Sequence, residues 1–278
     1  MNHRRNLLAL CIGCALIQAG DIIIASFLPI LISDLGTATN AAFWSGAAFS
    51  VAALTAAIMA PVWGSLSDRY GKRIMLIRSG IVLTVTYGLM GLARSHVDIL
   101  LLKAVSGALS GYIPAATMLV ATTTPNENLG FAMGLLQTTM AIGTVAGPVL
   151  GAVFVSVFGL TGTYIACAAM PAIATLIAVF VVREKTVLRA ERTSIIEGMR
   201  KTVSIPVLQV LFGVLVLMQA GTACIRPTLP LLIKELSIGN AAIATSIIAM
   251  LFGVATAISA PLVGRNWNIV KALNLGSM

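Results

Sequence analysis

Long apolar segments alternate with short polar stretches along the sequence. A helix that spans a membrane needs about 20 mostly apolar residues, and eight segments have that character. They run over residues 7–32, 42–64, 74–93, 98–121, 131–156, 162–182, 207–233 and 240–264. The pattern therefore predicts an all-α polytopic membrane protein.

One polar stretch is much longer than the others and divides the sequence. Residues 183–206 separate the sixth apolar segment from the seventh and are interpreted as a cytoplasmic linker. Residues 1–182 then form an N-terminal bundle of six transmembrane helices, and residues 207–264 supply two more helices. Residues 265–278 do not continue the apolar pattern and are interpreted as an aberrant tail.

Basic residues are distributed unevenly between the two sides of these segments. Of the 18 Lys and Arg residues, fourteen lie in residues 1–6, 65–78, 183–206 and 265–278. Cytoplasmic loops of membrane proteins carry an excess of Lys and Arg. We therefore expect both termini to face the cytoplasm of a bacterial inner membrane.

The composition supports lipid as the solvent. Charged residues make up only 10% of the chain and hydrophobic residues 58%, whereas a soluble domain carries about 25% charged residues. The net charge of +9 is scattered over short loops, so a nucleic-acid partner is not expected. The sequence shows no phosphate loop, catalytic triad or metal-ligand cluster, so neither an enzyme nor a cofactor is expected.

The second and third segments are joined by a charged stretch, residues 64–73, that reads GSLSDRYGKR. Its glycines suit a close helix approach at Gly64 and a tight turn at Gly71. Its carboxylate, Asp68, is suited to capping a helix N-terminus or pairing with a cation. The remaining charges are three cations, Arg69, Lys72 and Arg73. A simple cluster of cations on the cytoplasmic side, as the positive-inside rule expects, would explain the three cations. It would not explain Gly64, Asp68 and Gly71.

A second motif lies in the fifth segment. Gly143, Gly147 and Gly151 are spaced four residues apart, so they share one helix face on which another backbone can lie close. Pro148 follows the middle glycine and bends the helix. An ordinary packing seam of small residues is the alternative interpretation.

The sequence also contains an internal repeat. QAG at residues 18–20 and LPILI at residues 28–32 recur roughly 200 positions later, as QAG at residues 219–221 and LPLLI at residues 229–233. Segments seven and eight thus restate segments one and two. A parallel repeat of two six-helix halves is one way in which transporters are built.

Together these features resemble the Major Facilitator Superfamily, and within it the bacterial drug:proton antiporters of the multidrug and tetracycline efflux type. The resemblance covers eight of the family's twelve helices and departs from it after Gly264. It implies a six-helix N-terminal bundle with the first two helices of a C-terminal bundle. It also implies that residues 64–73 form a cytoplasmic gate and that the glycines of the fifth segment mark an antiporter.

The function implied is proton-driven export of lipophilic drugs or similar small molecules by alternating access. The proton gradient is the energy source, and the partners are the lipid bilayer, the substrate and protons. Two alternatives stay open: an inactive truncated remnant of such an exporter, and a facilitator that imports small solutes.

Charged residues inside the segments are candidates for proton coupling, because ionisable groups in a membrane are costly. Asp21 lies deep in the first segment, and repeat symmetry with the family fold predicts that Arg226 approaches it when the outer mouth closes. The alternative is that Arg226 reaches the outer interface and Asp21 alone takes protons. Lys103 stands where the family's fourth-helix motif has arginine, although it could instead extend to the outer interface. Candidate cavity residues are Gln18, Tyr112, Gln137 and Gln219, for most of which helix packing is the blander interpretation.

Overall fold

The computed structural model describes residues 3–37, 41–184, 209, 212–214 and 216–217. Residues 189–252 belong to a separate compact unit, of which the described residues are helical. The first unit, taken by itself, is a bundle of helices, with no strand among its described residues. Its helices are α1 (His3–Ile32, followed by a π-helical turn, Ser33–Thr37), α2 (Ala41–Tyr70), α3 (Lys72–Gly91), α4 (His96–Leu109), α5 (Tyr112–Thr123), α6 (Asn126–Cys167) and α7 (Ala169–Phe180).

Five stretches of the described chain are long and apolar enough to cross a membrane: His3–Leu35, Phe43–Tyr70, Lys72–Gly91, His96–Thr123 and Glu127–Phe180. The all-α membrane fold predicted from the sequence is confirmed. The last stretch covers 54 residues, which is more than twice the length that one span needs.

Gly159 divides this long stretch into two parts. Its backbone has φ 69° and ψ 179°, a conformation that interrupts the helix and that residues with a side chain rarely adopt. Before the break, Gly143 faces Ala15 and Gly151 faces Ile23. Residue numbers rise together in both helices, so this part of α6 runs parallel to α1.

After the break the direction is opposite. Tyr164 donates a hydrogen bond to the carbonyl of Ile24 at 3.4 Å, whereas Arg183, after α7, is bonded to Asn6. Because residue numbers now rise along the chain as they fall along α1, the chain has reversed at Gly159. The stretch therefore contains two antiparallel spans, where the sequence placed segments five and six.

Two boundaries differ from the sequence prediction. The fourth segment was expected to be one helix, but Ser110 and Gly111, which has φ 131°, separate α4 from α5. The charged stretch after residue 64 was expected to be a loop, yet α2 continues through Tyr70. Asp68, near the end of α2, pairs with Lys72 at the start of α3 at 3.6 Å.

Glycines on α6 bring this helix into close contact with α1. A Cβ atom added at Gly143 would lie 2.5 Å from the Ala15 carbonyl oxygen, and one at Gly147 would lie 2.9 Å from the Ile22 side chain. At Gly151 the added atom would lie 2.7 Å from Phe27. The glycine face predicted from the sequence is therefore in direct contact with α1. We call this contact the glycine seam.

Replacing Gly143 with alanine is expected to destabilise the protein, because the methyl group collides with the α1 backbone. Overpacking of this kind costs about 1–3 kcal/mol. Gly134→Ala is the matched control, since Gly134 is also in α6 and a Cβ there has open space. Thermal unfolding of the purified protein in detergent should show a lower midpoint for Gly143→Ala and an unchanged or higher one for Gly134→Ala. Equal midpoints would contradict a close seam.

Candidate functional site

The stretch predicted as a gate contains a one-residue turn. Gly71 alone separates α2 from α3; its φ is 98°, and its amide donates to the Ser67 carbonyl at 3.0 Å. The positive φ confirms the tight turn predicted at this glycine. At Gly64 the described part of the chain places no atom within 4 Å of an added Cβ, so the close helix approach expected there stays a prediction.

The N-terminus of α3 is capped by a residue distant in sequence. The Glu184 carboxylate accepts hydrogen bonds from the backbone amides of Lys72, at 3.1 Å, and Arg73, at 2.9 Å. A negative charge is favourable at this end of a helix, where the first amides lack partners. Asp68 was a candidate cap, but it pairs with the Lys72 ammonium instead.

Further contacts tie the end of the sixth span to α1 and α3. The Arg73 guanidinium donates to the Val179 carbonyl at 2.6 Å. The Asn6 amide donates to the Arg183 carbonyl at 2.6 Å and accepts from the Arg183 backbone amide at 3.2 Å. We call the end of the bundle that carries these contacts the basic end.

Sequence reasoning missed the contribution of Arg183 and Glu184, because it assigned both to the linker. Two features of the sequence could have indicated it. Glu184 lies directly after an apolar segment, and the first turn of α3 contains no acidic residue of its own. Arg69 has a smaller part in the described structure, with its guanidinium 5.2 Å from the ring centre of Tyr70.

A second polar cluster lies inside the bundle, around Asp21. Asp21 is partly buried on α1, and its carboxylate accepts a short hydrogen bond from the hydroxyl of Tyr87 on α3. Tyr87 is only 1% exposed. Its ring lies over Gly20, where an added Cβ would be 3.3 Å from the ring. The tyrosine is thus held in position beside the carboxylate.

Lys103 supplies the cation of this cluster. Its side chain is 7% exposed, its ammonium lies 5.3 Å from the ring centre of Phe49, and it interacts electrostatically with Asp21. The structure therefore places Lys103 inside the bundle rather than at the outer interface. Gly107, one turn further along α4, lies against the Ala52 backbone and brings α2 close.

Arg226 and Gln219 lie outside the described residues, so the pairing of Asp21 with Arg226 stays a prediction. Among the cavity candidates, Gln137 is exposed and Gln18 is partly buried next to the glycine seam. Tyr112 is 2% exposed, and its hydroxyl donates to the Ala174 carbonyl at 3.4 Å, so it serves helix packing.

Arg78 was counted with the cytoplasmic cations, but the structure places it in the second turn of α3. Its guanidinium stacks on Trp63, 3.5 Å from the ring centre, and donates to the Ser110 carbonyl at 3.4 Å. The Trp63 indole donates to Ala108 at 2.6 Å, which fixes the ring. Arg78 therefore joins α2 and α3 at the break between α4 and α5.

The described residues contain no group of three or more His, Cys, Asp or Glu side chains that could hold a metal ion. What they do contain is a carboxyl group that accepts a hydrogen bond from a hydroxyl and is attracted electrostatically by an ammonium with which it forms no direct ion pair, all within the membrane-spanning part. Such a cluster can bind and release a proton.

Residues 10–276 match the family model described as Major Facilitator Superfamily. The chain is 34% identical over 273 residues to the "Multi-drug resistance efflux pump PmrA homolog" of Lactococcus lactis, covering 95% of this chain and 67% of that protein. It is also 34% identical over 271 residues to the "Multidrug resistance protein MdtG" of Escherichia coli, covering 95% and 66% respectively. The chain thus spans about two thirds of the length of these curated relatives.

Among solved structures, the human organic anion transporter MFSD10 (TETRAN) superposes with a TM-score of 0.74. The alignment covers 95% of this chain and 73% of that one, at 15% identity. At this identity the likeness shows the fold alone.

Glu184→Ala is expected to destabilise the bundle, because it removes the charged acceptor of two α3 amides. A hydrogen bond to a charged group contributes about 1.5–3 kcal/mol, so a loss of about 2 kcal/mol or more is expected. Glu184→Gln should lie between the wild type and Glu184→Ala. Thermal unfolding in detergent measures the effect, with Glu127→Ala, an exposed acid at the start of α6, as the control. An equal loss at Glu127 would count against a specific cap.

Proposed function

Because the chain belongs to the Major Facilitator Superfamily, we propose that it exports small lipophilic molecules in exchange for protons, by alternating access. Two relatives that it matches over 95% of its length carry the names of multidrug efflux or resistance proteins, which favours export over import. Its long apolar helices support a multi-pass membrane protein. Its basic residues favour a bacterial inner membrane with both termini in the cytoplasm.

The observation that carries the proposal is the cluster of Asp21, Tyr87 and Lys103. A carboxylate in a membrane interior requires partners, and Asp21 has a hydroxyl donor and a nearby cation. Proton binding to Asp21 would remove its negative charge and weaken its attraction for Lys103. Proton release would restore that attraction. The two protonation states therefore favour different spacings of α1 and α4.

The glycine seam gives this change a path to the rest of the bundle. Gly147 contacts Ala19 and Ile22, which flank Asp21 on α1. A small shift of α1 at Asp21 therefore also moves the surface against which α6 packs. This supports an antiporter role for Gly143, Gly147, Pro148 and Gly151.

We assign the cytoplasmic gate to the basic end, with Gly64, Asp68, Arg69, Gly71, Lys72 and Arg73 as its motif. The Asp68–Lys72 ion pair and the Glu184 cap join α2, α3 and the end of the sixth span. The charged gate and the proton site thus share α3, which carries Lys72 and Arg73 at its start and Tyr87 near its end. A mostly apolar interior favours a lipophilic substrate over a sugar, which needs many polar partners.

Asp21→Asn is expected to abolish drug-dependent proton movement, because an amide cannot exchange a proton at this position. Inverted membrane vesicles that contain the protein, with a fluorescent ΔpH dye, measure the flux on drug addition. Asp98→Asn is the control, since Asp98 caps the start of α4 and an amide oxygen can still accept those bonds. Unchanged flux in Asp21→Asn would overturn the proposed site.

Tyr87→Phe is expected to lower the same proton flux about tenfold, because the carboxylate loses a hydrogen bond worth about 1.5–3 kcal/mol. Tyr164→Phe is the control. Tyr164 is also 1% exposed, but its hydroxyl bonds to a backbone carbonyl on α1 at 3.4 Å. Equal fluxes for the two variants would show that the hydroxyl of Tyr87 does not act on Asp21.

A further inference from the structure

A cavity of about 710 Å³ lies on the outside of the bundle, between the N-terminal part of α1 and the C-terminal end of α7. Its walls include Leu8 and Ile12 of α1, and Ile177 of α7 with Val181 directly after it. Leu8 is 57% exposed and Ile12 52% exposed, as side chains that face lipid would be. We call this cavity the α1–α7 groove.

The two ends of the groove differ in chemistry. His3, Arg4 and Arg5 line one end and are exposed, while aliphatic side chains line the rest. In the part of the chain that the structure describes, neither guanidinium takes part in a hydrogen bond or an ion pair. No acidic residue is among those that line the groove. The groove therefore combines two free cations with an apolar wall.

The dimensions of the groove match one leaflet of a membrane. Arg4 and Ile12 are eight residues apart on α1, which corresponds to about 12 Å along the helix axis. The hydrocarbon core of one leaflet is about 15 Å thick, half of the roughly 30 Å core. The groove thus runs from the level of the lipid headgroups into the acyl-chain region.

We propose that the α1–α7 groove binds an anionic phospholipid. Its phosphate would be held by Arg4 and Arg5, and an acyl chain would lie along Leu8, Ile12, Ile177 and Val181. Basic sites between membrane helices on the cytoplasmic side recognise such headgroups. A soluble phosphate would use the two arginines but not the apolar wall. The proposal does not depend on the transported substrate.

The groove adjoins the basic end. Asn6 follows the two arginines and is bonded to Arg183, whose neighbour Glu184 caps α3. A lipid in the groove therefore contacts the two helix ends that this network joins. It would stabilise their association from the lipid side.

Native mass spectrometry of the full chain in detergent tests the proposal. Phosphatidylglycerol and phosphatidylcholine with identical acyl chains are titrated separately. The wild type should bind phosphatidylglycerol more tightly, and Arg4→Gln and Arg5→Gln should each weaken that binding about fivefold. Arg94→Gln, which removes an exposed cation just before α4, is the matched control and should leave the binding unchanged.

Two further measurements separate a lipid from a free anion. Ile12→Trp fills the apolar wall without removing charge, and it should also weaken phosphatidylglycerol binding. Glycerol phosphate, added as a competitor, should not displace the lipid. Equal affinity for phosphatidylcholine would overturn the proposal, as would an equal effect of Arg94→Gln. Binding that Ile12→Trp leaves intact and that glycerol phosphate displaces would show a simple anion site instead.

Discussion

The close backbone contact between α1 and α6 is the constraint on which the rest of the bundle depends. Glycine at three successive turns lets the two helices lie within side-chain distance of each other's backbone. This contact sets the position of α1, and α1 carries Asp21. After this contact the chain reverses at Gly159, and Tyr164 then bonds back to α1.

Polar contacts between helices add to the apolar packing of the bundle. In the spans that the structure describes, the charges inside the bundle have specific neighbours: Tyr87 and Lys103 for Asp21, and Phe49 for Lys103. At the basic end, charge is placed on helix termini and between helices. Arg78, stacked on Trp63 between these two groups, adds a further charge on α3.

The sequence was sufficient for the helical membrane fold, the family, the turn at Gly71 and the glycine face of α6. Each of these follows from a local rule: segment length, residue spacing, or the conformational freedom of glycine. The partners of Asp21 were not predictable, because Tyr87 and Lys103 lie on other helices and repeat symmetry directed attention to Arg226. The role of Glu184 was missed for the same reason, since a cap 112 residues distant along the chain leaves no local pattern.

The single residue between α2 and α3 has a mechanical consequence. Helices of 30 and 20 residues meet at Gly71 with almost no slack between them. A connecting loop of several residues would absorb a tilt of α2, whereas this junction transmits it to the first amides of α3. Those amides are held by Glu184, which lies just after the sixth span. The junction thus couples a tilt of α2 to the hydrogen bonds by which Glu184 holds the start of α3.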